Sequence, residues 1–593
     1  MKQFFLTVLG VFTGLVLFLV VVPMVLIMMA VASAGSKPSI PRNTVLELDL
    51  RQGVSDSPST NPLSFGGAAL SVIEIVDGLA QAGDDEAVKA VLVRLPETGL
   101  SPAAADEVRQ AIRRLRAKGK IVIAHSQGFM PAGASVSAYM VGASASELWM
   151  QESASFQMAG LATEEIFFGR AFEKYGVNAQ FEQRHEYKNA VNAYTQSDFT
   201  AAHREATLAW VGSIYDTSIA AAAADRKMTP AALKTVVEAG PWTAEEARAR
   251  GLITHLGEVE QAEAEAKRRA GRGAEIVEFG DYVDAKGARE GTGSDAIAIV
   301  YAEGPIMTGT GRGGDPFGGG SSIMSDDTAE AIYDAIEDKS VKAIVLRVSS
   351  PGGSPEASEQ IAAAVRAAQR AGKPVVVSMG AYAASGGYWI SAEADWIVAQ
   401  PATLTGSIGV FGGKFVLADA LGRFGVDVRG LSVGGEFADA YAISEPWTAE
   451  QRAKISQQMD RIYDDFITRV ARGRDLPPAR VREIARGRVW TGAQALGLGL
   501  VDQLGGLEEA IAKARQLAKI PNDARIRLKR FPAPMSPWEA LSEAFGVSGE
   551  AARALVFLGG VAQDPQAQAV ARRVEADRMR REGAVVLADR PLG

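Results

Sequence analysis

An α/β fold written twice is what this chain of 593 residues predicts. Three observations carry it. Val88-Lys-Ala-Val-Leu-Val-Arg-Leu95 returns as Val341-Lys-Ala-Ile-Val-Leu-Arg-Val348, 253 residues later. The register holds through Ser101-Pro102 against Ser354-Pro355, and Gly119-Lys120 against Gly372-Lys373. In each copy, apolar runs of strand length alternate with segments of helical period. That β-α-β-α order belongs to a mainly parallel sheet. A chain this long also exceeds what one core holds.

Taken in order, residues 44–50 alternate apolar and polar side chains as a strand does, and 296–301 open the second copy the same way. Helices are expected around 72–79 and 329–336, each followed by a buried strand at the repeated motif. A second helix places Val108, Ile112 and Leu115 on one face, matched by Ile361 and Val365. Apolar strands follow at 121–124 and 374–378. Tyr175-Gly-Val177 then matches Phe424-Gly-Val426, and Trp242-Thr243 matches Trp490-Thr491. Gly251-Leu-Ile253 matches Gly499-Leu-Val501. These matches place the first repeat at 37–285, a linker at 286–295, and the second repeat at 296–520. Residues 521–593 form a C-terminal extension of unknown role. The glycine-rich stretch 308–322 reads as a surface loop.

Hydrophobic residues make up 47% and charged residues 22%, an ordinary globular balance. A net charge of -8 argues against nucleic acid as a partner. There is no cysteine, which removes disulfides and thiolate chemistry. No charged side chain occurs from Gln3 to Ser36, and residues 4–32 are almost wholly apolar. About 20 such residues span a bilayer as a helix. The run is longer than the roughly 7–15 residues of a secretory h-region, although Ala32-Ser33-Ala34 has the small-x-small look of a cleavage site. Residues 1–36 are therefore read as an uncleaved N-terminal membrane anchor that meets lipid through residues 4–32.

Chemistry shows where the copies differ. After the repeated strand the first copy reads Pro96-Glu-Thr-Gly99-Leu100-Ser101, and the second reads Ser349-Ser-Pro351-Gly352-Gly353-Ser354. A Pro-Gly-Gly turn before a helix exposes backbone N–H groups suited to an oxyanion. The bland reading is a plain tight turn. The second copy also has Ala383-Ala-Ser385-Gly386-Gly387-Tyr388-Trp389; aligned on Tyr139 and Tyr388, the first copy has Val136 in place of Ser385. A serine needs a base to become a nucleophile. All four histidines (His125, His185, His203 and His255) precede Ser385, which excludes the α/β-hydrolase order of a triad. A histidine-first triad using His185 stays open. So does Lys188, in Tyr187-Lys188-Asn189-Ala190-Val191, where the aligned residue of the second copy is Phe437. The commonest reading of a lone lysine is a solvated surface residue. Serine retained in one half and lysine in the other is what a site built across two repeats requires. Gly309-Thr-Gly-Arg-Gly-Gly314 matches a dinucleotide fingerprint, but no helix pattern follows it, so no such cofactor is read.

These segments give the chain a family likeness. It resembles the S49 serine peptidases in their long, duplicated form, over residues 1–517. The likeness rests on Ser350-Pro-Gly-Gly-Ser354, on Met379-Gly380 with Ala383-Ala-Ser-Gly-Gly-Tyr-Trp389, on Thr403-Leu-Thr-Gly-Ser-Ile-Gly409, and on Tyr187-Lys188. The resemblance implies Ser385 as nucleophile and Lys188 as general base. Backbone N–H groups of Gly352 or Gly353, and of Gly386, are the expected oxyanion donors. It further implies two tandem ClpP/crotonase-like repeats, no metal or cofactor, and a bowl-shaped homotetramer. The expected substrates are hydrophobic peptides, including cleaved signal peptides. The expected place is the cell inner membrane, single-pass, with the catalytic domains on the periplasmic side. Two other classes compete: a crotonase-like acyl-CoA enzyme, and a non-catalytic membrane scaffold.

Overall fold

The repeated strand is buried along its whole length except at its second residue, Lys89 in one copy and Lys342 in the other. A strand apolar on both faces needs cover on both sides, which parallel sheets receive from their crossover helices. The computed structural model describes residues 39–58, 70–287, 293–311, 322–521 and 524–533, and it supplies that cover twice.

In the first repeat the elements are β1 (Thr44–Asp49), α1 (Val72–Asp84), β2 (Val88–Leu95), α2 (Pro102–Ala117), β3 (Ile121–Ser126), α3 (Ser135–Ala143) and β4 (Glu147–Met150). Then come β5 (Asn178–Gln183), α4 (Ala201–Arg226), β6 (His255–Leu256), α5 (Val259–Ala270) and β7 (Glu275–Glu278). Six strands form one sheet in the order β6-β4-β3-β2-β1-β7, every pair parallel. The second repeat gives β8 (Asp295–Glu303), α6 (Ser325–Glu337), β9 (Val341–Ser350), α7 (Pro355–Arg370), β10 (Val375–Ala384), α8 (Gly386–Ser391) and β11 (Trp396–Ala399). It continues with β12 (Leu404–Gly406), β13 (Phe411–Val416), α9 (Ala449–Gly473), β14 (Val489–Thr491), β15 (Gln503–Leu504), α10 (Leu507–Leu517) and β16 (Ile526–Phe531). Its sheet runs β14-β12-β10-β9-β8-β16, with β11 joining β10 to β15. The chain is thus a mixed α/β protein of two tandem repeats.

The equivalences read from sequence hold at side-chain level. Tyr139 donates its hydroxyl to Leu252 O at 3.1 Å, and Tyr388 donates to Leu500 O at 2.8 Å. Val108, Ile112 and Leu115 are buried, as are Ile361 and Val365. One strand lies past the expected end of the second repeat. The second repeat was expected to end at 520, yet Ile526–Phe531 pairs parallel with β8, as Glu275–Glu278 pairs with β1. The outermost strand is set by pairing to a distant partner, which no local pattern reveals.

The repeats are joined by more than a linker. β5 of the first pairs antiparallel with β13 of the second, Gln183 opposite Phe411 and Asn178 opposite Val416. Ile73 of α1 packs in a cluster with Ile297, Ile299, Val345 and Leu507 of the second repeat. The expected anchor at 1–36 lies outside the described residues, as does most of the loop 308–322. No helix among the described residues is long and apolar enough to cross a membrane.

Candidate active site

Ser385 ends β10 and caps α8 at φ 55°, ψ −118°. A non-glycine residue held there costs of order 1–3 kcal/mol, so the surroundings must impose it. They do so through backbone bonds: Ser385 N–H donates to Gly406 O and Trp389 N–H donates to Ser385 O, both at 2.9 Å. The sharp turn from strand to helix leaves Ser385 half-buried, while Gly386 and Gly387 behind it are buried. Both must be small. A Cβ on Gly386 would lie 2.7 Å from Ser358 Oγ and 3.0 Å from Gly353 N, and one on Gly387 would lie 2.7 Å from Ser350 O.

The Pro-Gly-Gly turn follows β9, the strand beside β10, and leads into the sixteen-residue helix α7. Gly352 has φ 107°, and a Cβ there would press on Gly386 N at 2.7 Å. The three predicted donors differ in what they face. Gly352 N–H donates to Ser350 Oγ at 3.1 Å. Gly353 N–H donates to no protein acceptor among the described residues; its neighbours are the ones that bond, Ile306 N–H to Gly352 O and Ser354 N–H to Ile306 O, each at 2.9 Å. Gly386 opens α8, where an N–H has no carbonyl one turn earlier to take it. Gly353 and Gly386 therefore offer open N–H groups side by side, and Gly352 supports the turn.

Lys188 arrives from the first repeat. Beyond β5 the chain is held by Arg184, whose N–H donates to Val410 O at 3.0 Å and whose guanidinium donates to Ser456 Oγ at 2.7 Å. The lysine backbone then packs on Gly487, where a Cβ would stand 2.6 Å from Lys188 N. The residue is 3% exposed. Nζ lies 3.0 Å from Ser385 Oγ, 2.9 Å from Ser407 O and 2.9 Å from Ser407 Oγ. Burial pulls its pKa down to about 7 from 10.5.

The fold thus brings Ser385 and Lys188 into contact from opposite repeats. The histidines are engaged elsewhere: the His185 ring faces Tyr463, His125 Nε2 lies 3.1 Å from Gly257 O, His203 meets Glu165, and His255 stacks on Trp149. The residue missed by sequence reasoning is Ser407. It sits at φ 48°, pinned by its N–H to Arg488 O at 2.7 Å, and turns both its oxygens on Nζ. It lies within a segment already singled out, but its proximity to Lys188 exists only after the repeats pack.

Comparison with known proteins places one match in each copy. Residues 114–272 and 367–521 match peptidase family S49. Protease 4 of Salmonella typhi is 33% identical over 520 residues, covering 83% of this chain and 81% of that protein. The chloroplastic serine protease SPPA of Arabidopsis thaliana is 28% identical over 514 residues, covering 86% and 74%. A putative signal peptide peptidase SppA of Enterococcus faecium is 35% identical over 193 residues, covering 32% and 56%.

Proposed function

Since the chain belongs to peptidase family S49 and is a serine peptidase, we propose that Ser385 is its nucleophile and Lys188 its general base. The observation that carries this is the buried Nζ at 3.0 Å from Ser385 Oγ, with a pKa of about 7. A neutral amine has two N–H donors and one lone pair. Ser407 O and Oγ take the donors. The lone pair is left aimed at the Ser385 hydroxyl, which donates to it.

Attack then proceeds in two halves. Ser385 Oγ adds to the peptide carbonyl as its proton passes to Nζ. The carbonyl oxygen becomes an oxyanion held by Gly353 and Gly386 N–H, at the positive end of α7. The ammonium returns its proton to the leaving amine, which departs and leaves an acyl-enzyme on Ser385. Water, deprotonated by the same lysine, hydrolyses that ester.

The substrates we propose are hydrophobic peptides, cleaved signal peptides among them, met at the membrane that residues 4–32 anchor the chain to. The small residues around Ser385 and the apolar N-terminal run support that reading. A ClpP/crotonase-like form for each repeat, a homotetramer, and a periplasmic face of the inner membrane complete it.

The test compares wild type, Ser385→Ala and Lys188→Ala on a labelled hydrophobic peptide. Both variants are expected to lose activity by about a thousandfold or more. Equal rates in all three would end the dyad; loss in the serine variant alone would demand another base. Only neutral lysine accepts the proton, so wild-type kcat/KM should rise with pH through about 7. A profile flat from roughly pH 6 to 10 would contradict the assignment, since that range brackets a lowered and an ordinary lysine.

A further inference from the structure

The first repeat sends a second side chain into the catalytic end of the other sheet. β9 and β10 run in register from Ile344 opposite Val375 to Val348 opposite Met379, and the next pair is Ser350 opposite Ala383. Ser349 alone therefore faces Gly380, Ala381 and Tyr382, a β-bulge placed just before the Pro-Gly-Gly turn and Ser385. Bulges re-aim the strand ends that follow them and leave ladder groups unpaired. Here one of those groups, the Ala381 N–H, is taken by Asp56, which also binds two side chains of β9. Its Oδ2 accepts the Ala381 N–H at 3.0 Å and the Ser349 hydroxyl, and its Oδ1 accepts from Arg347 Nη2 at 3.0 Å. The fit is close, since a Cβ on Gly380 would stand 2.7 Å from the same carboxylate.

Asp56 is itself held in place. Glu303, at the end of β8, accepts the N–H of Asp56 at 3.3 Å and of Ser57 at 2.7 Å. Asp56 is 7% exposed, and Arg347 is fully buried between it and Glu107 of α2. From Ser349 the contacts run straight to the oxyanion turn. Ser349 O accepts Gly304 N–H at 2.9 Å; Ser350 Oγ donates to Gly304 O at 2.7 Å and accepts Gly352 N–H at 3.1 Å.

We propose that Asp56 is a positioning residue for the peptidase reaction: by closing the bulge between β9 and β10 it sets the Gly353 and Gly386 N–H groups on the carbonyl that Ser385 attacks. This rests on the dyad and the oxyanion donors proposed above. Asp56 touches neither substrate nor Ser385. Its effect belongs to the transition state, because an N–H that is slightly misplaced still permits substrate to bind.

The experiment uses the full chain, with kcat, KM, the pH midpoint and the affinity of a peptide aldehyde. The aldehyde adds reversibly to Ser385: its carbonyl carbon bonds Oγ, and its oxygen takes up the serine proton in the hemiacetal. Asp56→Asn is expected to lower kcat and aldehyde affinity together by about 10- to 100-fold, with KM within about twofold and the pH midpoint unmoved. Glu107→Gln is the reference, since it weakens the same Arg347 cluster without touching Ser349 or Ala381. An equal loss in Glu107→Gln, or kcat in Asp56→Asn within about twofold of wild type, overturns the proposal. Should Asp56→Asn fail to fold, Ser349→Ala removes one contact and leaves the ion pair. It should lower kcat and aldehyde affinity by about three- to tenfold, and no change in either overturns the proposal. Ser385→Ala is run alongside: activity surviving there refutes the dyad itself, whereas loss there with Asp56→Asn intact refutes only the positioning role.

Discussion

Leu100 and Gly353 occupy the same place after the same strand, 253 residues apart. In the first repeat the Leu100 N–H donates to Ser137 Oγ at 3.1 Å. Ser137 aligns with Gly386, and its hydroxyl lies 2.5 Å from Leu100 O and 2.6 Å from Ala134 O. Gly99 still takes a left-handed φ of 89°, as Gly352 does at 107°. The turn is therefore kept in both halves, but in the first a hydroxyl fills the space where an oxyanion would sit. In the second the same space is lined by two glycines whose N–H groups stay open. One copy satisfies its backbone donors internally; the other leaves them open, as the proposed oxyanion role requires. The turn geometry is common to both copies, and the copies differ in whether a hydroxyl occupies it; on the proposed mechanism that difference is what separates the working turn from the silent one.

The sharpest way to break this contrast is to write the first copy's residue into the second. In Gly353→Leu a Cβ would stand 2.0 Å from Ile306 O, so the turn must move and one of the proposed oxyanion donors goes with it. A fall in kcat of about 100- to 1,000-fold is expected. The reciprocal Leu100→Gly should leave kcat within about twofold, since Leu100 lies in the repeat that lacks the proposed nucleophile. Steady-state rates on one peptide decide both. Comparable losses in the two variants would mean that both turns matter for the same structural reason.

A smaller effect is expected at Ser407, which belongs to the half that keeps the serine yet serves the lysine of the other. Ser407→Ala removes one of the two acceptors on Nζ and leaves the Ser407 carbonyl. A loss in kcat of about tenfold is expected, with KM little changed. An unchanged kcat would show that the Ser407 carbonyl alone orients the amine.

How much of this was legible in the sequence differs between the halves of the site. Ser385 could be read because it lies in a run of small residues beside Gly386 and Gly387, and because Val136 stands in its place in the other copy. Lys188 was visible as a lysine that the second copy lacks and through the Tyr187-Lys188 segment of the family resemblance; its burial depends on Gly487 and Gly409, some 300 and 220 residues away along the chain. Asp56 left no local signal, and Ser407 lay in a quoted segment that gave no sign of its partner. Each acts through a contact across the repeat interface, and periodicity reports only on neighbours in sequence. The same limit hid β16, whose pairing with β8 is decided by register over more than 220 residues.

The contrast also reaches stability. Lys188 has a folded pKa of about 7, below its ordinary 10.5. The unfolded chain therefore binds more protons between those values, and stability should rise with pH across that window by about 1.4 kcal/mol per unit until the unfolded lysine also loses its proton. Below about pH 7 the penalty for the buried ammonium is present in full. Lys188→Met has no such proton to lose. Urea denaturation of both proteins at several pH values should show the variant ahead by a few kcal/mol near neutrality, and the gap closing toward pH 10. A constant gap would mean that the lysine is charged in the folded state throughout.

The least effect is expected from Ser137→Ala, and it tests the comparison at its root. If the Ser137 hydroxyl is only a plug, removing it leaves the Leu100 N–H without its acceptor, in a turn where Val136 stands in place of Ser385. Stability should drop by about 1–2 kcal/mol, the usual cost of orphaning a buried donor. Peptidase activity should be unchanged, because no element of the first-repeat turn touches Ser385, Lys188 or Ser407. Thermal unfolding and peptide turnover on the same preparation separate the two. A variant that stays fully stable would argue that the first-repeat turn is already relaxed, so that its N–H groups never needed the hydroxyl. A variant that loses activity would argue that the two turns are mechanically linked through the sheets, and that the silent copy still helps to shape the working one.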